Sequence, residues 1–221
     1  MKTNYGLGLK IRELLRKSNL ENSANWQFID LWHDEKQVGL LEAKLTDFIR
    51  NLGLDLDNTS LSGTPGRMVK LFLEDLFWGL DYHNFPDISS DDNSFTYVNP
   101  IISQNISIHS TCEHHFVAIR GHATIAYIPK KKVIGLGKLN QIVNFFAHRP
   151  QVQERLTRQV CIVLQYLLDT PDVAVAISAN HDCISRHCTA DAANKILTLD
   201  LGGKFLDDET LNANFYNLVT K

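Results

Sequence analysis

No stretch of the chain approaches the roughly 20 consecutive apolar residues that a membrane-spanning helix requires. The N-terminal MKTNYGLGLKIRELLRK also lacks the apolar core of a signal peptide, so a cytoplasmic protein is expected. A large charge excess of one sign is missing too: 22 Lys and Arg against 25 Asp and Glu give a formal net charge of −3. That balance gives no electrostatic reason to expect nucleic acid or an acidic membrane as a partner, and any anion site must be local. Cysteine is scarce, with only Cys112, Cys161, Cys183 and Cys188 in 221 residues. In a reducing compartment, clustered thiols are more often ligands or catalysts than disulfides. Three motifs are absent as well: an HExxH helix, the HxE and PCxxC pair of zinc deaminases, and a phosphate-cradling GxxxxGK[ST] loop. If a nucleotide binds, side chains must hold its phosphates.

What is present is a 221-residue chain with 44% hydrophobic residues, enough for one full core, or one core with an N-terminal appendage. Residues 1–60 read as a helical arm, since LGLKIRELLRK and VGLLEAKLTDFIRNLGL repeat apolar positions at helical spacing. Residues 61–221 read as the main domain. In SGTPGRMVKLFLEDLFWGL, Thr64 is expected to cap a helix over 65–79 with Pro65 in its first position, burying Leu71, Leu73, Leu76, Phe77 and Leu80. The polar SSDDNSF at 89–95 reads as a loop, and Lys130, Lys131 and Lys132 as a solvated turn.

From about residue 97 the period shortens. TYVNPIISQNISIHS and HFVAIRGHATIAYIP alternate like an antiparallel strand pair. KLNQIVNFFAHRP and QVQERLTRQVCIVLQYLLDT follow as two helices parted at Pro150, with Cys161 buried among Val160, Ile162, Val163 and Leu164. VAVAISANHDC and KILTLDLGG then close the sheet before a terminal helix, which makes the fold class α+β.

The densest chemistry lies in STCEHHF, residues 110–116, where a turn can aim Cys112 and His115 at one metal ion. A second cluster, NHDCISRHC at 180–188, holds His181, Cys183, His187 and Cys188 at another strand end. If the two strands close at one edge, Cys183 joins Cys112 and His115 as a third ligand of the kind zinc prefers, leaving a fourth position for water. His114 and His181 would then flank the metal, and each can move protons near neutral pH. Glu154, at a Gln-, Glu- and Arg-rich helix start, reads on its own as a solvent-facing carboxylate.

STCEHHF, VIGLGKLNQIVNFFAHRPQVQERLT, the late HxC and TPGRMVKLFLEDLFWGLDY, in that combination, resemble the GTP cyclohydrolase I family over residues 40–205 or so. The resemblance implies a tunnelling fold, an antiparallel sheet backed by helices, assembled as two pentamers in a homodecamer with sites between subunits. It implies zinc on Cys112, His115 and Cys183, with His114 and His181 as proton-transfer residues. It implies a substrate set in which Glu154 reads the guanine edge with Gln153 beside it. The implied reaction is zinc-dependent hydrolysis at C8 of GTP, loss of formate, and closure to 7,8-dihydroneopterin triphosphate, a pterin on the way to folate or tetrahydrobiopterin.

The phosphate site departs from the family. Where the family has GLSKxxR, this chain has Gly135, Leu136, Gly137, Lys138, Leu139, Asn140 and Gln141, and His187 and Cys188 replace a usual Arg-Gly pair. Arg binds phosphate through charge-assisted bidentate bonds that a neutral side chain cannot supply. At about 1.5–3 kcal/mol each, two such losses weaken triphosphate binding by roughly 100-fold unless other groups compensate. Arg67, Lys70, Lys131, Lys138 and a shifted Arg186 are the candidates for that. The resulting expectations are a GTP cyclohydrolase I with a remodelled phosphate site, a paralogue acting on a guanine-like compound with fewer or no phosphates, or a silent binding member. The intact zinc and histidine set speaks against the last.

Overall fold

The computed structural model describes residues 2–185 and 194–220, so Arg186, His187 and Cys188 lie outside the described residues. Helices α1 (Tyr5–Lys17), α2 (Trp26–Ile29) and α3 (Glu35–Asn51) come first. Their starts are capped by the side chains of Asn4, Asn25 and Asp34, each accepting a backbone N–H that has no partner within the helix. Helix α4 (Thr64–Lys70) follows, with Gly63 rather than Thr64 at the cap position. The Thr64 hydroxyl instead accepts from Arg67 at 2.9 Å.

The helix expected over 65–79 is α-helical only to Lys70. It continues as a π-helical turn, Leu71–Leu76, and then a 3-10 turn, Trp78–Leu80. The wider π turn rotates later side chains relative to the α-helical period. Phe77 and Leu80 are therefore buried as expected, Leu73 and Leu76 are half-buried, and Leu71 is 43% exposed.

Short strands β1 (Ser90–Asp92) and β4 (Lys132–Ile134) pair antiparallel, so part of the expected loop and the last lysine of the expected turn form a small ladder. Strands β2 (Ile101–Cys112), β3 (Ala118–Tyr127), β5 (Pro150–Gln151), β6 (Val173–His181) and β7 (Ile196–Leu201) make the main sheet in the order β5-β2-β3-β6-β7. All pairings are antiparallel except β2 with β5. Helices α5 (Leu136–Ala147) and α6 (Gln153–Leu168) back this sheet, forming with α1 a core that includes Ile11, Leu15, Ile108, Ile125, Phe145, Leu164 and Ile177. Near the other end of the chain, α7 (Lys204–Asp207) and α8 (Glu209–Val219) bring Phe205 and Phe215 onto Ala126, Ala174 and Ala176. The interior strand β6 is consequently buried along most of its length, as its apolar VAVAI run requires. This is the antiparallel sheet backed by helices of a tunnelling fold. Among the described residues no helix is long and apolar enough to cross a membrane.

Candidate functional site

Register decides where the chemistry gathers. Thr111 pairs with Ala118 and Ile119 with His181, so the end of β2, the start of β3 and the end of β6 meet at one edge of the sheet. Cys112 closes β2 and Cys183 follows β6 by two residues. A tight turn returns the chain to β3, with the Cys112 N–H bonded to Val117 O and the Phe116 N–H to Cys112 O, both at 2.8 Å. Phe116 takes a positive φ of 53° to complete it.

The three expected ligands come together: one donor atom each from Cys112, His115 and Cys183 lie within 4.8 Å of one another. Cys112 Sγ stands 4.0 Å from His115 Nδ1. Zinc–ligand bonds of about 2.0–2.3 Å at tetrahedral angles separate donor atoms by roughly 3.6–3.8 Å, so a small contraction closes the set on an ion. Two thiols and an imidazole are also the donor chemistry that zinc selects. Burial, followed by the interaction with Cys112, pushes the Cys183 thiol above its ordinary pKa. A cation held between the two sulfurs reverses that preference, because coordination favours the thiolate. Cys161, the third cysteine among the described residues, is buried in α6 with Sγ 3.8 Å from Val173 O and its pKa raised by burial. It belongs to the core.

His181 is half-buried beside this cluster, and burial lowers its pKa while the charge of Glu154 opposes the shift. Its Nε2 lies 2.7 Å from Gln153 Oε1. The orientation of that amide follows from its other contacts: Gln153 Nε2 donates to Ile177 O and Ile196 O at 2.9 Å and to Thr198 Oγ1 at 3.0 Å. Carbonyls only accept, so Oε1 faces the imidazole and His181 Nε2 must be the donor. Neutral His181 then carries its lone pair on Nδ1. Gln153, expected as a substrate contact, is thus a 2% exposed residue whose amide hydrogens are committed inside the chain and whose oxygen orients His181. Glu154, next in sequence, is exposed, as its helix-start setting suggests. His114 is exposed too, with Nδ1 3.9 Å from Cys112 Sγ and Nε2 4.0 Å from Glu113 Oε1.

The expected phosphate ligands engage other parts of the chain. Arg67 donates to Ser60 O and Thr64 Oγ1, and Lys138 Nζ donates to Asp87 O at 2.6 Å. Lys70 lines a hollow with Trp32, His33, Glu74 and Asp81. Gln141 keeps its Oε1 buried with no hydrogen-bond partner among the described residues. His187 lies outside the described residues.

Arg155 escaped the sequence reading. It donates to Glu113, to Gln151 Oε1 at 3.0 Å and to Pro150 O at 3.0 Å. The available signal was its position, a cation in the first turn of α6, where the positive end of the helix dipole disfavours one.

Residues 41–220 match the family model described as GTP cyclohydrolase I. The protein named GTP cyclohydrolase 1 in Shewanella sp. (strain ANA-3) is 42% identical over 209 residues, 95% of each chain. Its namesake in Edwardsiella ictaluri (strain 93-146) is 47% identical over 179 residues, 81% of each chain, and that in Histophilus somni (strain 2336) is 41% identical over 214 residues, 96% of each. The solved structure of the archaeosine synthase QueF-Like in the apo form aligns with 48% of this chain and 94% of its own at 13% identity and a TM-score of 0.39, too distant to bear on function.

Proposed function

The chain belongs to the GTP cyclohydrolase I family, and we propose that it hydrolyses GTP at C8, releasing formate and forming 7,8-dihydroneopterin triphosphate, with zinc on Cys112, His115 and Cys183. The observation that carries this reading is the set of two thiols and one imidazole within 4.8 Å, beside an oriented His181. Zinc held there supplies Lewis acidity that activates a water molecule toward an electrophilic carbon.

The chain's own residues supply the rest. Glu154 accepts hydrogen bonds from N1 and N2 of guanine, which fixes the base with C8 toward the cysteines. His181, held through Nε2 by Gln153, accepts a proton at Nδ1. His114, exposed beside Cys112, returns a proton to the ring nitrogen that leaves C8. Lys138, Arg67 and Lys70 provide positive charge for the phosphates, with Gln141 and His187 in place of the family's arginines. We place the enzyme in the cytoplasm as a homodecamer of two pentamers whose sites form between subunits. The exposed apolar side chains Leu40 and Phe48 on α3 and Leu52 just after it suit such an assembly.

A second reading, a paralogue acting on a guanine-like purine or pterin with fewer phosphates, is favoured by one observation. Among the described residues, Lys138 is tied to Asp87 O, Arg67 donates to Ser60 O and Thr64 Oγ1, and Gln141 brings no charge, so part of the cation set expected for phosphate is engaged elsewhere. The two readings separate in a panel of GTP, GMP, guanosine and guanine offered to the zinc-loaded enzyme, monitored by formate release and pterin fluorescence. The first predicts that GTP is turned over fastest. Turnover confined to poorly phosphorylated compounds would overturn it in favour of the second.

A further inference from the structure

We propose that Arg155 is a positioning residue of the metal site, a clamp that locks the Cys112–His115 turn to the start of α6 through Glu113. The inference rests on the metal reading of Cys112, His115 and Cys183 and extends it to a residue outside the ligand set.

The geometry is that of a three-way fork. From one guanidinium, Nε donates to Gln151 Oε1 at 3.0 Å, while Nη2 donates to Pro150 O at 3.0 Å and to Glu113 Oε2. The backbone of Glu113 is held by the same short strand, its N–H bonded to Gln151 O at 3.0 Å, and Cys112 pairs directly with Gln151. The main chain of the residue that follows the first ligand is therefore anchored to β5 directly, and its side chain through Arg155.

That anchor is itself fixed. Gln151 is 0% exposed, and its Nε2 donates to Phe146 O at 2.9 Å and to Gln159 Oε1 at 2.7 Å. Gln159 in turn donates to Leu20 O at 2.6 Å and to Asn22 Oδ1 at 3.1 Å. The ligand turn is thus connected through Arg155 to a buried polar chain in the core rather than to a solvent-exposed loop. Arg155 is only two residues beyond Gln153, which orients His181, so the ligand turn and the proposed proton-transfer residue are both tied to the first turn of α6.

A fork of this kind needs arginine. A lysine ammonium can reach Glu113 as a point charge but cannot present planar donors to three acceptors at once. Groups that orient metal ligands from behind typically change metal affinity by 10–100-fold when removed. Salt bridges at partly exposed positions are weak in stability terms, so loss of this one should show in the metal site before it shows in the fold.

The test uses Co2+ as a spectroscopic stand-in for zinc, with the full-length metal-free protein titrated against a competing chelator. Wild type is expected to develop the visible absorption of a tetrahedral thiolate site. Arg155→Met and Glu113→Gln should each weaken Co2+ affinity by about 10–100-fold. The double variant should be no weaker than the worse single one, because the two residues act as one unit, and Arg155→Lys should recover part of the loss. Melting temperatures of the metal-free forms establish that the variants fold, and Glu113→Gln, on a surface turn, keeps the test open if Arg155→Met does not. Wild-type Co2+ affinity in folded variants, or additive losses in the double variant, would overturn the clamp. Failure of wild type to take up Co2+ at all would instead overturn the metal reading, and the clamp with it.

Discussion

His148 shows how one side chain sets a pH limit on the fold. It is half-buried just after α5, with Nδ1 2.8 Å from Asn144 O and its ring 5.2 Å from that of Trp78. Burial lowers its pKa most; the bond to Asn144 and the charge of Asp75 oppose this, and the charge of His109 adds to it. The folded protein therefore resists protonating His148, while the unfolded chain takes up the proton near the ordinary value of about 6.5. Because the unfolded state binds more protons in that window, this contribution to stability is complete above about pH 6.5 and declines as pH falls toward the lower folded value. Denaturant midpoints measured at pH 7.5 and 5.5 should fall less in His148→Gln than in wild type. Equal losses would show that His148 is not the group responsible. At the same scale, Cys112, His115 and Cys183, which gather at one sheet edge, and the neighbouring His114 and His181 stood out in the sequence because their residue types suit metal and proton chemistry. The roles of Gln153 and Arg155 were not, because an amide and a guanidinium take their meaning only from partners far away in sequence.

Between elements, the chain is tied together by a buried cation. Arg149, 0% exposed, lies between α5 and α6 and donates to Glu21 Oε1 at 3.3 Å, to Asn22 Oδ1 at 3.2 Å and to Gly79 O. Its guanidinium carbon also stands 4.7 Å from the Phe146 ring centre and 4.8 Å from that of Phe145. Glu21 accepts from the Tyr82 hydroxyl as well, so one carboxylate joins the segment after α1 to the turns that follow α4. The close fit extends to the backbone, where a Cβ added at Gly79 would meet Phe145 O at 2.0 Å. Removing one partner of a buried ion pair leaves an uncompensated charge, at about 3–5 kcal/mol. Glu21→Ala should therefore lower stability by about that amount in denaturant unfolding, and a loss below about 1 kcal/mol would contradict the account. Helices with a regular apolar period were legible at this scale. The π turn at Leu71–Leu76 was not, since nothing in LFLEDL departs from the α-helical pattern and the widening answers to packing.

Across the whole molecule, the strand order β5-β2-β3-β6-β7 brings residues some 70 positions apart to one edge, and the proposed function depends on that closure. Alternation revealed the strands, but only their register decides which strand ends meet, and a shift by one residue would turn His181 to the other face. The pairing of β1 with β4 escaped the sequence reading for a related reason: SDD and KVI, three residues each, are too short to show a period. The central claim, that this closure builds a metal-dependent hydrolytic site for the guanine ring of GTP, concerns the fate of one carbon atom. The most direct measurement supplies GTP labelled with carbon-13 at C8 to the zinc-loaded enzyme and to enzyme stripped of metal by a chelator, and follows the label by NMR. The account predicts that the label leaves as formate, that stripping abolishes its release, and that added zinc restores it. Label retained in the product, or released equally without metal, would contradict it.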